Sequence, residues 1–130
     1  MNIIFIGGGQ VVYFLAQHFI SRNHRITIIN RNPDQAKWLS EQVQALLILG
    51  DGSDPTMPEE AGARRTDVVV ALTPRDQDNL VACQLARQMY GVPRTVALAN
   101  DPENEAVFAR LGVSATFSPV SLIASLIENL

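Results

Sequence analysis

The start of the chain limits its fold most: residues 3–6 form an apolar run that stops at Gly7, Gly8 and Gly9, and a helical pattern follows. Such a β-branched and aromatic run is typical of a parallel strand buried on both faces. Glycines after it let the backbone turn sharply and approach a ligand closely. The next helix then begins with free N–H groups and its positive dipole end at the turn, which attracts phosphate. We therefore predict a strand, a phosphate-binding turn and a helix.

The glycines match a dinucleotide-binding fingerprint only in part. Gly7 and Gly9 occupy the first two glycine positions of the pattern G-x-G-x-x-G, and Val12 occupies the third. The third glycine normally lets the helix pack closely on the strand, so we expect Val12 to push the helix outward or to alter the turn. A glycine-rich turn that binds no ligand is the alternative interpretation.

Length and charge narrow the class of protein. A chain of 130 residues suits one domain, residues 1–130, and is too short for a nucleotide domain plus a substrate domain. A net charge of -3 provides no attraction for nucleic acid. With one cysteine, Cys83, and two histidines, the chain cannot assemble a disulfide framework or a Cys/His zinc site. No signal-peptide pattern and no apolar stretch of about 20 residues is visible, so we expect a cytoplasmic protein.

The rest of the chain alternates between strand and helix signals. Apolar segments predict further strands at 25–30, 45–49, 67–72, 94–99 and 113–117. Helix starts are indicated at Asn32-Pro33, at Thr73-Pro74, at Asp101-Pro102 and at Ser118-Pro119, and a short helix is predicted from Asp54 to Gly62. Six alternating strands predict a three-layer, Rossmann-type α/β fold with a doubly wound parallel sheet in the order 3-2-1-4-5-6. The ligand crevice is then expected where the order reverses, between strands 1 and 4.

The second strand ends at Asn30, where the Rossmann pattern usually has an acid that binds the adenosine ribose. An amide can also donate to and accept from ribose hydroxyls, and it does not repel a 2′-phosphate. Arg31 could pair with such a phosphate, so the sequence leaves NADP(H) open as a ligand. The alternative is that Asn30 and Arg31 only begin the next helix.

The ends of strands 3 and 4 supply further candidates. Asp51 lies between two glycines, and its carboxylate either accepts a bond from adenine or ribose or forms an Asx turn. Gly52 allows a second close backbone approach beside the first. Thr73 and Pro74 follow strand 4 as a capping box with proline at the first helical position, across the crevice.

Several motifs along the chain occur together: 6–11 (Ile-Gly-Gly-Gly-Gln-Val), 50–54 (Gly-Asp-Gly-Ser-Asp) with 60–62 (Glu-Ala-Gly), Thr73 with 78–80 (Asp-Asn-Leu), and 91–94 with 111–113. Together they resemble the nucleotide-binding domain of potassium-transport regulators, known as TrkA-N, KTN or the RCK N-terminal domain. The resemblance covers the whole chain. It implies a non-catalytic domain that binds NAD(H) or an adenine nucleotide (AMP, ADP or ATP). It also implies homodimers that assemble into gating rings beneath a membrane potassium transporter or channel subunit, at the inner face of the cell membrane.

The resemblance also assigns the ligand contacts. It places the phosphates at Gly7, Gly8, Gly9, Gln10 and Val11, the ribose at Asn30 beside Arg31, adenine near Asp51 and Gly52, and Thr73 with Pro74 across the cleft. The chain departs from the family pattern at Val12, at Asn30 and at Leu98, where an arginine is common. With less positive charge for a pyrophosphate or triphosphate, a smaller ligand such as AMP or ADP is favoured, as is a pocket that has lost its ligand.

Two other functions compete with this interpretation. An NAD(P)-dependent oxidoreductase needs a general acid such as histidine or a Tyr-x-x-x-Lys pair. Lys37 is the only lysine, it does not follow a tyrosine at that spacing, and neither histidine follows a predicted strand at the crevice. We therefore predict no catalytic residues and no enzyme activity. The third interpretation is a ring-forming adaptor whose pocket has degenerated, which the residues at positions 12, 30 and 98 suggest.

The last predicted helix carries two apolar stripes. We expect one stripe to pack on the sheet: Val120, Ile123, Ala124 and Ile127. The second stripe consists of Leu122, Leu126 and Leu130, and a second apolar row predicts a partner surface that forms a homodimer. In the resembled family this helix crosses over to the adjacent subunit. The alternative is that these leucines pack under a neighbouring helix of the same chain.

Overall fold

A computed structural model describes residues 1–56 and 61–130, which form a six-stranded parallel sheet in the order β3-β2-β1-β4-β5-β6. The strands are β1 (Asn2–Ile6), β2 (Arg25–Asn30), β3 (Leu46–Leu49), β4 (Val68–Ala71), β5 (Arg94–Leu98) and β6 (Ala115–Phe117). The predicted fold class and strand order are confirmed. The order reverses between β1 and β4, where an open α/β sheet leaves a crevice at its carboxyl edge.

The described helices connect successive strands or follow the last one. They are α1 (Gly9–Ile20), α2 (Pro33–Gln42), α3 (Asp76–Tyr90), α4 (Asn104–Arg110) and α5 (Pro119–Glu128), with a 3₁₀ turn at Ala63–Arg65. The predicted starts of α2 and α5 are confirmed, because the side chains of Asn32 and Ser118 accept bonds from N–H groups of the first turn. The helix predicted between Asp54 and Gly62 includes residues 57–60, with Glu60 of the motif, which lie outside the described residues.

The core has one apolar cluster on each face of the sheet. On one face, Val12 and Ala16 of α1 and Leu39 of α2 pack against Phe5 and Ile28. Val12 is fully buried there, so the valine at the third glycine position forms part of the core and contributes about 1.5–3 kcal/mol to stability. On the other face, the cluster includes Ile4, Val69, Ala82, Ala86 and Phe108.

The predicted capping box at Thr73 is wrong, because α3 begins only at Asp76. Asn79 holds the preceding loop out of the helix. Its Oδ1 accepts from the backbone N–H of Thr73 (2.9 Å) and from the Thr73 hydroxyl (2.7 Å), and its Nδ2 donates to the carbonyls of Thr73 (3.0 Å) and Leu98 (2.9 Å). Asn79 is fully buried, and a buried polar group that satisfies several partners fixes its loop tightly. Thr73 and Pro74 therefore belong to the β4–α3 loop.

Among the described residues, no helix packs over the β4–β6 half of one sheet face. Strand register places Val70 beside Val96, Val96 beside Ala115, and Leu98 beside Phe117, all on the face over which α1 and α2 pack at β2 and β3. We call these five apolar residues the open sheet face, since each is half-buried or exposed. Their neighbours on the opposite face are buried, among them Val69, Ala71 and Ala97.

The helix α5 does not cover this face within the chain, and it contributes no buried residue. The prediction that Val120, Ile123, Ala124 and Ile127 pack on the sheet is therefore wrong for the single chain. Ser118 alone connects β6 to α5, which is shorter than the two to six residues common in such loops and leaves no loop for the helix to fold back. Within residues 1–56 and 61–130, no helix is long and apolar enough to cross a membrane.

Candidate functional site

A cavity of about 200 Å³ opens at the carboxyl ends of β1 to β4, at the point where the strand order reverses. We call it the switch-point cavity. Its walls come from four strand ends and from the first turns of α2 and α3. The lining residues are Ile6, Gly7, Gly8, Ile29, Asn30, Arg31, Gln35, Gly50, Asp51, Gly52, Thr73, Pro74 and Asp78.

Most of the predicted ligand residues lie at this cavity, and three do not. Gly9, Gln10 and Val11 form the exposed first residues of α1 and are not among the lining residues. Gln35 and Asp78 line the cavity although the prediction does not include them. Asp78 belongs to the 78–80 motif, which is a usable signal. For Gln35, the only feature of the sequence that could have indicated a role is its position in the first helical turn after the Asn32 cap.

The glycine turn, residues 7–9, cannot accept side chains at its first two positions. Gly7 has φ +142°, and a Cβ there would lie 3.0 Å from the carbonyl oxygen of Leu72. A Cβ on Gly8 would collide with Nδ2 of Asn30 and Oε1 of Gln35. The turn therefore lines the cavity with backbone that carries no side chains of its own, as a close approach by phosphate requires, and the amides of Asn30 and Gln35 pack against Gly8.

Asn30 is buried, and its carboxamide is already bonded within the chain. Its Nδ2 donates to the carbonyl of Gly7 (2.8 Å) and to Oε1 of Gln35 (3.2 Å), and its Oδ1 accepts from the N–H of Asn32 (2.8 Å). The bond to Gly7 ties the end of β2 to the glycine turn. A ribose contact by Asn30, as predicted, would have to replace one of these bonds.

At the mouth of the cavity, the Arg31 side chain lies between two carboxylates. The Arg31 guanidinium lies 4.0 Å from Oδ2 of Asp51 and 3.8 Å from Oδ2 of Asp78. The Arg31 side chain is largely exposed, so these pairs contribute little to stability. Because Asp78 lies in the first turn of α3 and Asp51 follows β3, the arginine bridges the two sides of the crevice. A phosphate group on a ligand would compete with both carboxylates for it.

Asp51 forms the Asx turn that was one of the two interpretations of its position, and it does so with only one of its carboxylate oxygens. Its Oδ1 forms an Asx turn by accepting from the N–H (2.9 Å) and hydroxyl (2.7 Å) of Ser53. The backbone bond from Ser53 lowers the pKa of Asp51, partial burial opposes this, and the Ser53 hydroxyl, Arg31 and Arg75 lower the pKa further. Asp51 is therefore anionic near neutral pH, and its Oδ2 can accept from a ligand amine or hydroxyl.

A second polar network fixes the wall of the cavity beyond β4. Asp76 accepts from the backbone N–H groups of Asn100 (2.8 Å) and Asp101 (3.0 Å) and from the side-chain amides of Asn100 (2.9 Å) and Asn104 (2.8 Å). Asn100 also donates to the carbonyl of Pro74 (3.2 Å). Burial of Asp76 acts to raise its pKa, but the hydrogen bonds from Asp101, Asn104 and Asn100 outweigh this and leave the pKa lowered.

We expect Asp76→Asn to lower the free energy of unfolding by about 1–2 kcal/mol at neutral pH, because the amide cannot accept all four bonds. A carboxyl with a lowered folded pKa stabilises the fold above its unfolded pKa and loses this effect as the pH falls. The difference between wild type and variant should therefore shrink below about pH 4. Urea unfolding at several pH values measures it, with the exposed Asp34→Asn as control. A difference that does not shrink as the pH falls below about 4 would contradict this account.

The described lining residues include no histidine, cysteine, tyrosine or lysine. His18 is exposed on α1, away from the cavity. Cys83 is buried, and desolvation raises the pKa of its thiol to about 12, so the reactive thiolate is suppressed. Within the described residues, no group of three or more His, Cys, Asp or Glu side chains could hold a metal ion. The side chains at the cavity are thus suited to hydrogen bonding and charge pairing.

Comparison with known proteins identifies close sequence relatives. A family model described as the TrkA-N domain matches residues 3–119. The chain is 34% identical over 130 residues to a Trk system potassium uptake protein TrkA homolog of Methanothermobacter thermautotrophicus, covering 100% of this chain and 60% of that protein. It is 35% identical over 136 residues to the Trk system potassium uptake protein TrkA of Vibrio alginolyticus, covering 100% of this chain and 30% of that protein. The chain thus spans 30% to 60% of the length of these relatives.

Solved structures share the fold at lower sequence identity. The TrkA-N domain of the inner membrane protein ybaL from Escherichia coli superposes with a TM-score of 0.88 at 16% identity, covering 99% of this chain and 96% of that one. The GsuK channel bound to NAD gives 0.79 at 23% identity, covering 94% and 22%. The Shewanella denitrificans Kef CTD in its AMP-bound form gives 0.80 at 20% identity, covering 98% and 76%.

Proposed function

Because the chain belongs to the TrkA-N domain family, we propose that it is a non-catalytic regulatory domain or subunit of a potassium transport system that binds a nucleotide in the switch-point cavity. The observation that carries the proposal is the convergence at one cavity of a bare glycine turn, the Arg31 guanidinium and the Asp51 carboxylate. These groups match a phosphate, which needs N–H donors and positive charge, and a base or sugar, which needs an acceptor. The relatives named as potassium uptake proteins support the transport context.

The cavity favours an adenine nucleotide or NAD(H), with a mononucleotide as the better fit. Its volume of about 200 Å³ is below the ~300–1,000 Å³ typical of small-molecule sites, which limits how much of an extended dinucleotide it can enclose. No acid at the end of β2 repels a 2′-phosphate, and Arg31 could attract one, so NADP(H) also remains within the proposal. Structures of similar fold are described as bound to NAD, AMP or ADP.

The open sheet face and α5 support the proposal of a homodimer. The helix exposes Leu122, Leu126 and Leu130 together with its other apolar stripe, and exposed apolar surface of this extent marks an interaction site. If α5 of one chain covers the open sheet face of a second copy, both apolar surfaces are buried by the same exchange. Such dimers could stack into a ring beneath a membrane potassium transporter or channel subunit, at the cytoplasmic face of the membrane.

Titration calorimetry against AMP, ADP, ATP, NAD, NADH and NADPH tests the proposed nucleotide site. We expect saturable binding of one ligand per chain, with AMP or ADP at least as strong as the dinucleotides. We also expect NADH and NADPH to differ by less than about tenfold, since no carboxylate at position 30 discriminates between them. A protein that binds none of the six would be the adaptor with a degenerate pocket. Turnover of NADH or NADPH with a panel of small carbonyl compounds would instead establish an oxidoreductase.

A further inference from the structure

Two carboxamides meet at the β2 side of the switch-point cavity, and they differ in what they can offer a ligand. Asn30 is buried, and its Nδ2 and Oδ1 bond to Gly7, Gln35 and Asn32. Releasing the bond to the Gly7 carbonyl would leave a polar backbone group without a partner beside the core, which is costly. Asn30 is therefore a structural tie between β2 and the glycine turn.

Gln35, unlike Asn30, is exposed and can present its carboxamide to a ligand. It lies in the first turn of α2 as an exposed residue, and its backbone N–H is held by the Asn32 cap (3.1 Å). Its Oε1 accepts the one bond from Asn30, and its Nε2 donates no hydrogen bond within the described part of the chain. The side chain can therefore turn toward a ligand at the cost of this one bond, while Nδ2 of Asn30 keeps its bond to the Gly7 carbonyl.

The carboxamide of Gln35 also lies where a nucleotide sugar is expected. A Cβ built on Gly8 would collide with its Oε1, so the amide rests on the backbone of the glycine turn. In a Rossmann fold the phosphate lies at this turn, and the ribose hydroxyls face the residue at the end of the second strand. Gln35 thus occupies the space between the phosphate position and Asn30.

We infer that Gln35, and not Asn30, contacts the ribose hydroxyls of the bound nucleotide. This inference rests on the proposed nucleotide site. A carboxamide presents one donor and one acceptor side by side, which matches two adjacent hydroxyl groups. The carboxamide carries no charge, so it can bind the ribose hydroxyls without repelling a 2′-phosphate. Asn30 acts only by positioning the glycine turn.

The test compares ADP with 2′-deoxy-ADP and 3′-deoxy-ADP by titration calorimetry on the whole chain. The wild type is expected to bind ADP about fivefold more tightly than at least one deoxy analogue, the effect of one hydrogen bond. In Gln35→Ala the ratio should fall to about one, with an unchanged melting temperature because the side chain is exposed. The matched control Gln42→Ala, an exposed glutamine at the far end of the same helix, should keep the wild-type ratio.

Asn30→Ala is expected to change the melting temperature but not the ratio of affinities, the reverse of Gln35→Ala. It should lower the melting temperature, because the Gly7 carbonyl loses its partner. It should also weaken the binding of ADP and of both deoxy analogues alike, because the glycine turn is loosened, so that the ratio between them stays near the wild-type value. A Gln35→Ala protein that still discriminates, or a wild type that binds ADP and both deoxy analogues equally, would overturn the inference while the proposed nucleotide site stands. A wild type that binds no nucleotide at all removes both.

Discussion

Replacing Gly9 with aspartate is expected to abolish nucleotide binding. Gly9 is the first residue of α1 and directly follows the lining residues Gly7 and Gly8. A Cβ at position 9 meets no atom within 4 Å, so the side chain fits and its carboxylate lies at the positive end of the helix. There it would repel a phosphate that the free N–H groups otherwise attract. We expect the affinity for ADP to fall at least about 100-fold by calorimetry, because the added carboxylate repels the phosphates by on the order of 3 kcal/mol.

The matched control is Gly9→Ala. Gly9 has φ +75°, so any side chain there costs about 1 kcal/mol of backbone strain. Alanine carries the same strain as aspartate without the charge, and it should retain binding within a few-fold of wild type. If both variants lose binding alike, the backbone conformation is responsible. If aspartate binds as well as wild type, the phosphate lies elsewhere and the proposed site is incorrect.

The strand order and the starts of α2 and α5 could be predicted because their signals are local, whereas α4 begins at Asn104 and not at the predicted Asp101-Pro102. A run of β-branched residues that ends at Gly7 specifies a buried strand and a turn without reference to the rest of the chain. Asn32 and Ser118 each act on N–H groups two or three residues ahead. Alternation of six strands with helices then leaves few topologies, since parallel crossovers are right-handed.

The details of the site depend on contacts between distant residues, which local patterns do not contain. Thr73 resembles a helix cap in sequence, but Asn79 also reaches the carbonyl of Leu98 on the next strand and so fixes the loop in another conformation. Asn30 occupies a ribose-binding position by spacing, whereas its bond to Gly7 depends on how β1 and β2 pair. Gln35 has no motif, and only the folded turn brings it onto Gly8.

The C-terminal helix shows a different limit of sequence patterns. Its two apolar stripes predict that the helix needs apolar partners, but a pattern does not state whether those partners belong to the same chain. In the single chain, the one-residue connection at Ser118 leaves α5 exposed and the open sheet face uncovered. Two complementary apolar surfaces in one chain that cannot meet each other are most simply satisfied between two copies.

Leu122→Glu combined with Leu126→Glu is therefore expected to convert a dimer into a monomer. The two leucines are 55% and 70% exposed in the single chain, so glutamates there leave the fold of one chain intact. In a dimer the same positions would be buried, and two unpaired carboxylates per chain in an apolar interface cost several kcal/mol. Sedimentation velocity at micromolar concentrations should show a dimer for the wild type and a folded monomer for the variant.

Leu46→Glu with Leu49→Glu makes the same chemical change at leucines that are 57% and 56% exposed on β3, the opposite edge of the sheet. This control should remain dimeric, which excludes a general effect of added charge.

Val96→Glu on the open sheet face should dissociate the dimer as the α5 variant does, because both changes disrupt the same interface. If Val96→Glu stays dimeric while the α5 variant dissociates, the two copies of α5 pack on each other and not on the sheet. If the wild type is already a folded monomer, α5 and the open sheet face must be covered by a different partner, and the ring model loses its physical basis.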